Sequence, residues 1–118
     1  MTKVRTVVVY DREMPRRNLY ASHLRTRLSL PFAIVVAGSL GQVAEVANTA
    51  DMVILSFGEG EGREDMLRCV KSVSAVVVIE SETYTEVVYA EVALRGHFVR
   101  REHRLQNMFG SIVNILKH

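Results

Sequence analysis

Cysteine is nearly absent from this chain: among 118 residues only Cys69 is one. An intrachain disulfide and a cysteine-built zinc site are therefore excluded, and the composition suits a reducing compartment, the cytoplasm. Cys69 falls on a helical stretch, where a small packing residue is expected rather than a nucleophile. No apolar run approaches the ~20 residues needed to span a bilayer. Val7-Val8-Val9 is too short for the apolar region of a signal peptide. No membrane association is expected. An excess of one charge is missing too: 15 basic residues face 13 acidic ones, for a formal charge of +2. Such a balance exerts no global pull towards nucleic acid. The histidines, His23, His97, His103 and His118, lack ligand spacing, so no metal site is expected. Gly58, Gly60 and Gly62 form a glycine string, but no Walker-type lysine follows it. The interleaved Glu59 and Glu61 would repel phosphate, so the string is read as a surface loop and no cofactor is expected. Repeats, low-complexity tracts and internal linkers are also missing, which leaves one domain over residues 1–118.

What is present is an ordinary globular mixture, 48% apolar and 24% charged. Arginines gather early (Arg12, Arg16, Arg17, Arg25, Arg27) and late (Arg95, Arg100, Arg101, Arg104), and are read as solvated helix faces. Five short apolar runs read as strands: Val4 to Tyr10, Phe32 to Ala37, Asp51 to Ser56, Ala75 to Glu80 and His97 to Arg100. Their unbroken β-branched character predicts strands covered on both faces. Helical spacing fills the intervals. Pro15 opens a helix running to Leu28, the next spans Leu40 to Asn48, the third Arg63 to Ser72, and the fourth Tyr84 to Leu94, with Gly96 placed to end it. The last carries Leu105, Met108, Phe109, Ile112, Val113 and Leu116, an amphipathic pattern. Strand–helix alternation repeated five times predicts an α/β fold, a parallel sheet with helices on both faces and right-handed crossovers. In such sheets, chemistry collects outside the carboxyl ends of the strands. Ser56 lies at such an end and is followed by the glycine string.

Three stretches say more. Val4-Arg-Thr-Val-Val-Val-Tyr-Asp-Arg-Glu-Met14 pairs a strand with an acidic turn. Ala50-Asp-Met-Val-Ile-Leu-Ser56 is similar to a Pro-Asp-φ-φ-φ-φ-Asp phosphorylation strand, and Ala93-Leu-Arg-Gly-His-Phe-Val-Arg100 to a fourth helix end and fifth strand, about two residues short. Together these resemble the receiver domain of bacterial two-component response regulators, in particular receivers that precede a helix-turn-helix DNA-binding domain. The resemblance implies a flavodoxin-like doubly wound (βα)5 fold with strand order 2-1-3-4-5. It also implies where the active site should be. The family's paired Mg²⁺-holding acids correspond to Tyr10 and Asp11, its phosphoacceptor aspartate to Ser56 and its switch threonine or serine to Glu80. Its strand-five lysine corresponds to Arg100, and its switch aromatic to His97.

Only Asp11 keeps the family identity. Aspartyl phosphorylation needs a carboxylate nucleophile and a divalent cation, and one carboxylate makes a poor octahedral Mg²⁺ site. Glu80 would place negative charge where a phosphoryl group should be attracted. The expectation is a pseudo-receiver: a non-enzymatic regulatory domain, independent of phosphorylation, with Arg100 paired to Asp11, Glu80 or both. The fourth helix carries more apolar residues than one stripe needs. That makes Tyr84, Val88, Tyr89 and Val92, together with Ile115, candidates for a protein interface across the fourth helix, fifth strand and fifth helix. Its partner would be a second copy, giving a homodimer, or an output domain. DNA would be met only through a domain outside this chain. An alternative is a sensor of anionic small molecules, using the degenerate pocket near Asp11, Ser56 and Arg100.

Overall fold

The β-branched runs fold as the five strands of one sheet. The computed structural model describes residues 4–28, 32–57, 62–79, 86–100 and 104–117. The elements alternate along the chain: β1 (Arg5–Asp11), α1 (Met14–Arg27), β2 (Phe32–Ala37), α2 (Leu40–Val46), β3 (Met52–Ser56), α3 (Arg63–Ser72), β4 (Val76–Ile79), α4 (Glu86–Arg95), β5 (Gly96–Val99) and α5 (Leu105–Lys117). All neighbouring strands are parallel, in the order β2-β1-β3-β4-β5. This is the expected flavodoxin-like doubly wound architecture. Among the described residues, no helix is long and apolar enough to cross a membrane.

Strand alternation divides the interior in two. Val8, Tyr10, Val53, Leu55, Val76 and Val78 meet α2, α3 and α4, whose Val43, Met66, Val70, Val88 and Val92 are buried. On the opposite side Val7, Val9, Ile54, Val77 and Ile79 meet Tyr20 and Leu24 of α1 and Met108, Phe109, Ile112 and Leu116 of α5. Phe109 is the hub of that second layer, edge-on to Tyr20 at 5.4 Å and stacked on His23 at 5.0 Å.

Polar side chains fasten the frame at its corners. Asp51 accepts the Thr6 amide at 2.7 Å through Oδ2 and donates its own N–H to the Thr6 carbonyl at 2.8 Å, pinning the approach to β3 against β1. Ser39 caps α2 by accepting the Gln42 amide at 3.1 Å, while Gln42 Oε1 accepts the Gly38 N–H at 2.6 Å. Arg5 lies 5.2 Å over the Phe32 ring and donates to the Leu116 carbonyl at 3.0 Å, closing the last turn of α5.

The early arginines stay in contact with solvent, as expected, and two of them also bind main-chain oxygens. Arg17 donates to the carbonyls of Asp11 and Gly38, and Arg25 to that of Ile34. A guanidinium presents several fixed donors, and here they satisfy main-chain oxygens that secondary structure leaves open. Gly96 stands where α4 ends, as expected, and has a second role: it begins β5 directly after Arg95. A Cβ there would overlap the Val76 carbonyl oxygen, so glycine is required by close approach of two strands.

The proposed outward set on α4 needs the same treatment. Val88 and Val92 are fully buried core residues, and Tyr89 is half-buried against Phe98, with ring centroids 4.5 Å apart. Ile115 is half-buried on the α1/α5 core, and Tyr84 lies outside the described residues. The large exposed apolar residues of α4 are instead Val87 and Leu94.

Candidate functional site

The carboxyl edge of β1 and β3 is built by register. Asp11 and Ser56 are direct partners across the parallel pair, and both are completely buried. They are the buried polar side chains among the described residues. Alternation aims Tyr10 the other way. Its ring lies in the α2/α3/α4 core, 6.4 Å from Phe57, so the first of the two expected acid positions holds packing rather than charge.

Asp11 has two local tasks. Its Oδ1 accepts the Glu13 N–H at 2.8 Å, an Asx-type turn that swings the chain from β1 into α1. Pro15 in the first turn then fixes the helical φ. That geometry brings Arg16 round to the carboxylate, with Nε 3.6 Å from Oδ2. Oδ2 accepts no hydrogen bond, so the guanidinium charge is its compensation. The Arg16 side chain is 37% exposed, so the pair sits where the sheet edge meets solvent.

Arg100 was expected to pair with Asp11, Glu80 or both; beside Asp11 the cation is Arg16. The sheet order explains the difference. Three strand-to-strand steps separate β1 from β5, roughly 14 Å at the usual spacing, beyond the reach of one arginine. Arg16 stands on the helix that begins over β1 itself. Arg100 follows β5 and is exposed. His97 is exposed on β5, the edge strand, and its neighbour Phe98 makes the aromatic contact with Tyr89. Glu80 lies outside the described residues. The structure therefore brings together Asp11 and Ser56, sends Tyr10 to the core, and adds Arg16, which sequence reasoning passed over. The available signal was its spacing: a residue five positions after a strand-end acid lies in the first turn of the following helix.

The receiver fold implies a bound Mg²⁺. Among the described residues the donors are a poor match for it. One buried carboxylate is already faced by a guanidinium, its register partner is a hydroxyl, and Tyr10 points away. A small, hard dication requires several oxygens in near-octahedral array. No cluster of three histidine, cysteine, aspartate or glutamate residues occurs among the described residues.

No protein-family model matches the chain, and no curated protein matches its sequence. Among solved structures it is similar to the crystal structure of the phosphorylated cyanobacterial phytochrome response regulator RcpA. The TM-score is 0.65 at 13% identity, over 95% of this chain and 91% of that one. At such identity the likeness is one of fold. The chain has the architecture of a response-regulator receiver.

Proposed function

We propose that this chain is a receiver-like regulatory domain of the two-component and transcription-regulator type, acting by protein contact or self-association and without the aspartyl-phosphate switch. The observation that carries the reading is the ion pair of Arg16 with buried Asp11, beside Ser56. A phosphorylatable receiver needs a carboxylate nucleophile and a dication at this edge. In this reading the Ser56 hydroxyl stands in for the acceptor carboxylate, and the Arg16 guanidinium beside Asp11 supplies the positive charge that a dication would bring. A serine hydroxyl is a weak nucleophile unless a base activates it. In this reading the domain is not an enzyme, and its working surface lies on the side of α4, β5 and α5. Contact with DNA falls to a domain outside the chain.

The test is incubation with a small-molecule phosphoryl donor and Mg²⁺, followed by intact-mass and sedimentation measurements on the same samples. The expected outcome is unchanged mass and unchanged association. A stable covalent phosphoryl adduct that alters association would overturn the reading. Replacing Arg16 by alanine, read by urea unfolding, should lower stability by about 1–3 kcal/mol, because it strips a buried carboxylate of its counter-charge. A neutral result would mean that the pair is incidental.

A second reading, a sensor of small anions at the same edge, is favoured by the half-exposed guanidiniums of Arg16 and Arg17 around Asp11. A thermal-shift series of phosphorylated and carboxylated metabolites tests it. A Tm increase lost in Arg17→Ala would support it, and a flat series would reject it.

A further inference from the structure

The sheet has two edges, and they are protected unequally. β5 has four residues, opens on Gly96 and carries the exposed His97. β2 has six, Phe32-Ala-Ile-Val-Val-Ala37, with no charge, proline or glycine among them. Its pairing with β1 runs without a bulge from Arg5↔Phe32 to Tyr10↔Ala37. Short length, charge, proline and bulges are the devices that keep an edge strand from recruiting another strand. β2 has none of them along its length. Ala37 alone is buried in this strand, and Val35 is 41% exposed. So a long, unbroken, apolar edge stays in contact with solvent.

One side chain tends that edge. Arg25 of α1 donates from Nη2 to the Ile34 carbonyl at 3.2 Å. The bond shows which groups face outward. In an extended strand each residue turns its N–H and C=O to one side, and the next residue turns them to the other. Ile34 therefore faces away from β1, together with Phe32 and Val36. Among the described residues no strand lies beyond β2, so the N–H groups of Ile34 and Val36 are open donors at strand spacing. Arg25 has charge to spare. It is exposed, and no carboxylate pairs with it among the described residues. Its own helix offers none, because the charged residues of α1 are all arginines.

We propose that the β2 edge takes an extended segment of a different protein as a sixth strand, with an acidic residue set against Arg25. This surface lies across the sheet from β5 and is independent of the carboxyl-edge reading. The backbone fixes the form of the occupant, since donors and acceptors at strand spacing are satisfied by another extended backbone. The charge fixes its chemistry. A second copy would pair β2 with its own antiparallel image about a twofold axis near Ile34. α1 would then lie on the same face in both copies, and the two Arg25 guanidiniums would meet at the axis. Like charges there repel. A carboxylate instead is drawn to Arg25 and forms a charge-assisted bond. Arg25 then leaves the Ile34 carbonyl, and an N–H of the incoming strand takes its place. Arg25 reaches the edge from the α1 side, so the acid belongs to the row of the incoming strand that faces α1. The other row runs beside Val35 and suits β-branched residues.

The probe is the blocked peptide Thr-Val-Glu-Val-Thr-Val, with glutamate in one row and valine in the other, titrated into the isotope-labelled whole chain. The expected result is saturable NMR shifts centred on Ile34 and Val36, with slower hydrogen exchange of both amides. The same peptide with lysine in place of glutamate should bind about tenfold more weakly, the ratio that one charge-assisted contact supplies. Arg25→Gln should erase that preference and leave the circular dichroism spectrum unchanged. Val36→Pro should abolish binding, because proline deletes an outward N–H and spares the bonds to β1. If Val36→Pro does not fold, the Arg25→Gln comparison still decides. Equal binding of the two peptides, shifts confined to β5, or no saturable shift with either peptide would each overturn the proposal. So would protection of Ile34 and Val36 that rises with chain concentration alone, since a second copy would then hold the edge. Phosphoryl uptake bears on the carboxyl-edge reading and leaves the β2 proposal intact.

Discussion

α4 and α5 pack against the same sheet from opposite sides and solve the problem of solvent in opposite ways. α5 buries Met108, Phe109, Ile112 and Leu116, and its exposed residues, Gln106, Asn107, Ser111, Asn114 and Lys117, are all polar. α4 buries Val88 and Val92, while its exposed described residues are all apolar. The first helix is finished when the domain folds. The second still has apolar surface that water covers at a cost, roughly 25 cal/mol for each Å² left exposed. A shared sheet thus conceals two outcomes, one helix with a polar outer face and one with apolar side chains left outward.

That contrast can be broken at its strongest point first. Phe109→Ala on α5 should cost about 3–5 kcal/mol in guanidinium unfolding, because it empties the hub between Tyr20 and His23. A loss below 1 kcal/mol would show that α5 is docked only loosely. Gly96→Ala should come next, at about 1–3 kcal/mol, since an added methyl must displace the Val76 carbonyl. Hydrogen exchange should then rise in β5 and the last turn of α4 before it rises elsewhere. Uniform protection would separate the two elements from that contact. On the outer faces the effects shrink. Leu94→Lys should change stability by no more than about 0.5 kcal/mol, as at other exposed sites, so any loss of association cannot be blamed on unfolding. Asn114→Lys on α5 should be the smallest of all, within about 0.5 kcal/mol. A larger loss would show that the polar face of α5 carries contacts of its own, and the comparison would fail.

Much of the fold was legible because strands and α5 write their burial in a regular period. A β-branched run such as Thr6 to Tyr10 has few competing readings, and the i, i+3, i+4 spacing of α5 fixes both its existence and its phase. α4 was legible as a helix but not in orientation. Apolar residues surround it, so no single stripe dominates, and Val88 and Val92 were assigned outward when Val87 and Leu94 take that place. Gly96 was legible only in part. A glycine after a helical run reads as a terminator, and α4 does end there, whereas its close contact with β4 is visible only in three dimensions. At the carboxyl edge, strand-end positions located Asp11 and Ser56 correctly as neighbours. The identity of the counter-charge was missed because β1 and β5 both deliver residues to that edge, and only lateral distance across the sheet decides between Arg16 and Arg100.

The bond from Arg5 to the Leu116 carbonyl has a topological consequence. It joins the first strand to the last helix at the amino pole of the sheet, across the body from Ser56. Residues 4 and 117 therefore lie near one another, and a short glycine-rich bridge could connect them. New termini opened at the exposed turn after α2, at Asn48 and Thr49, would give a circular permutant with every strand in its native place.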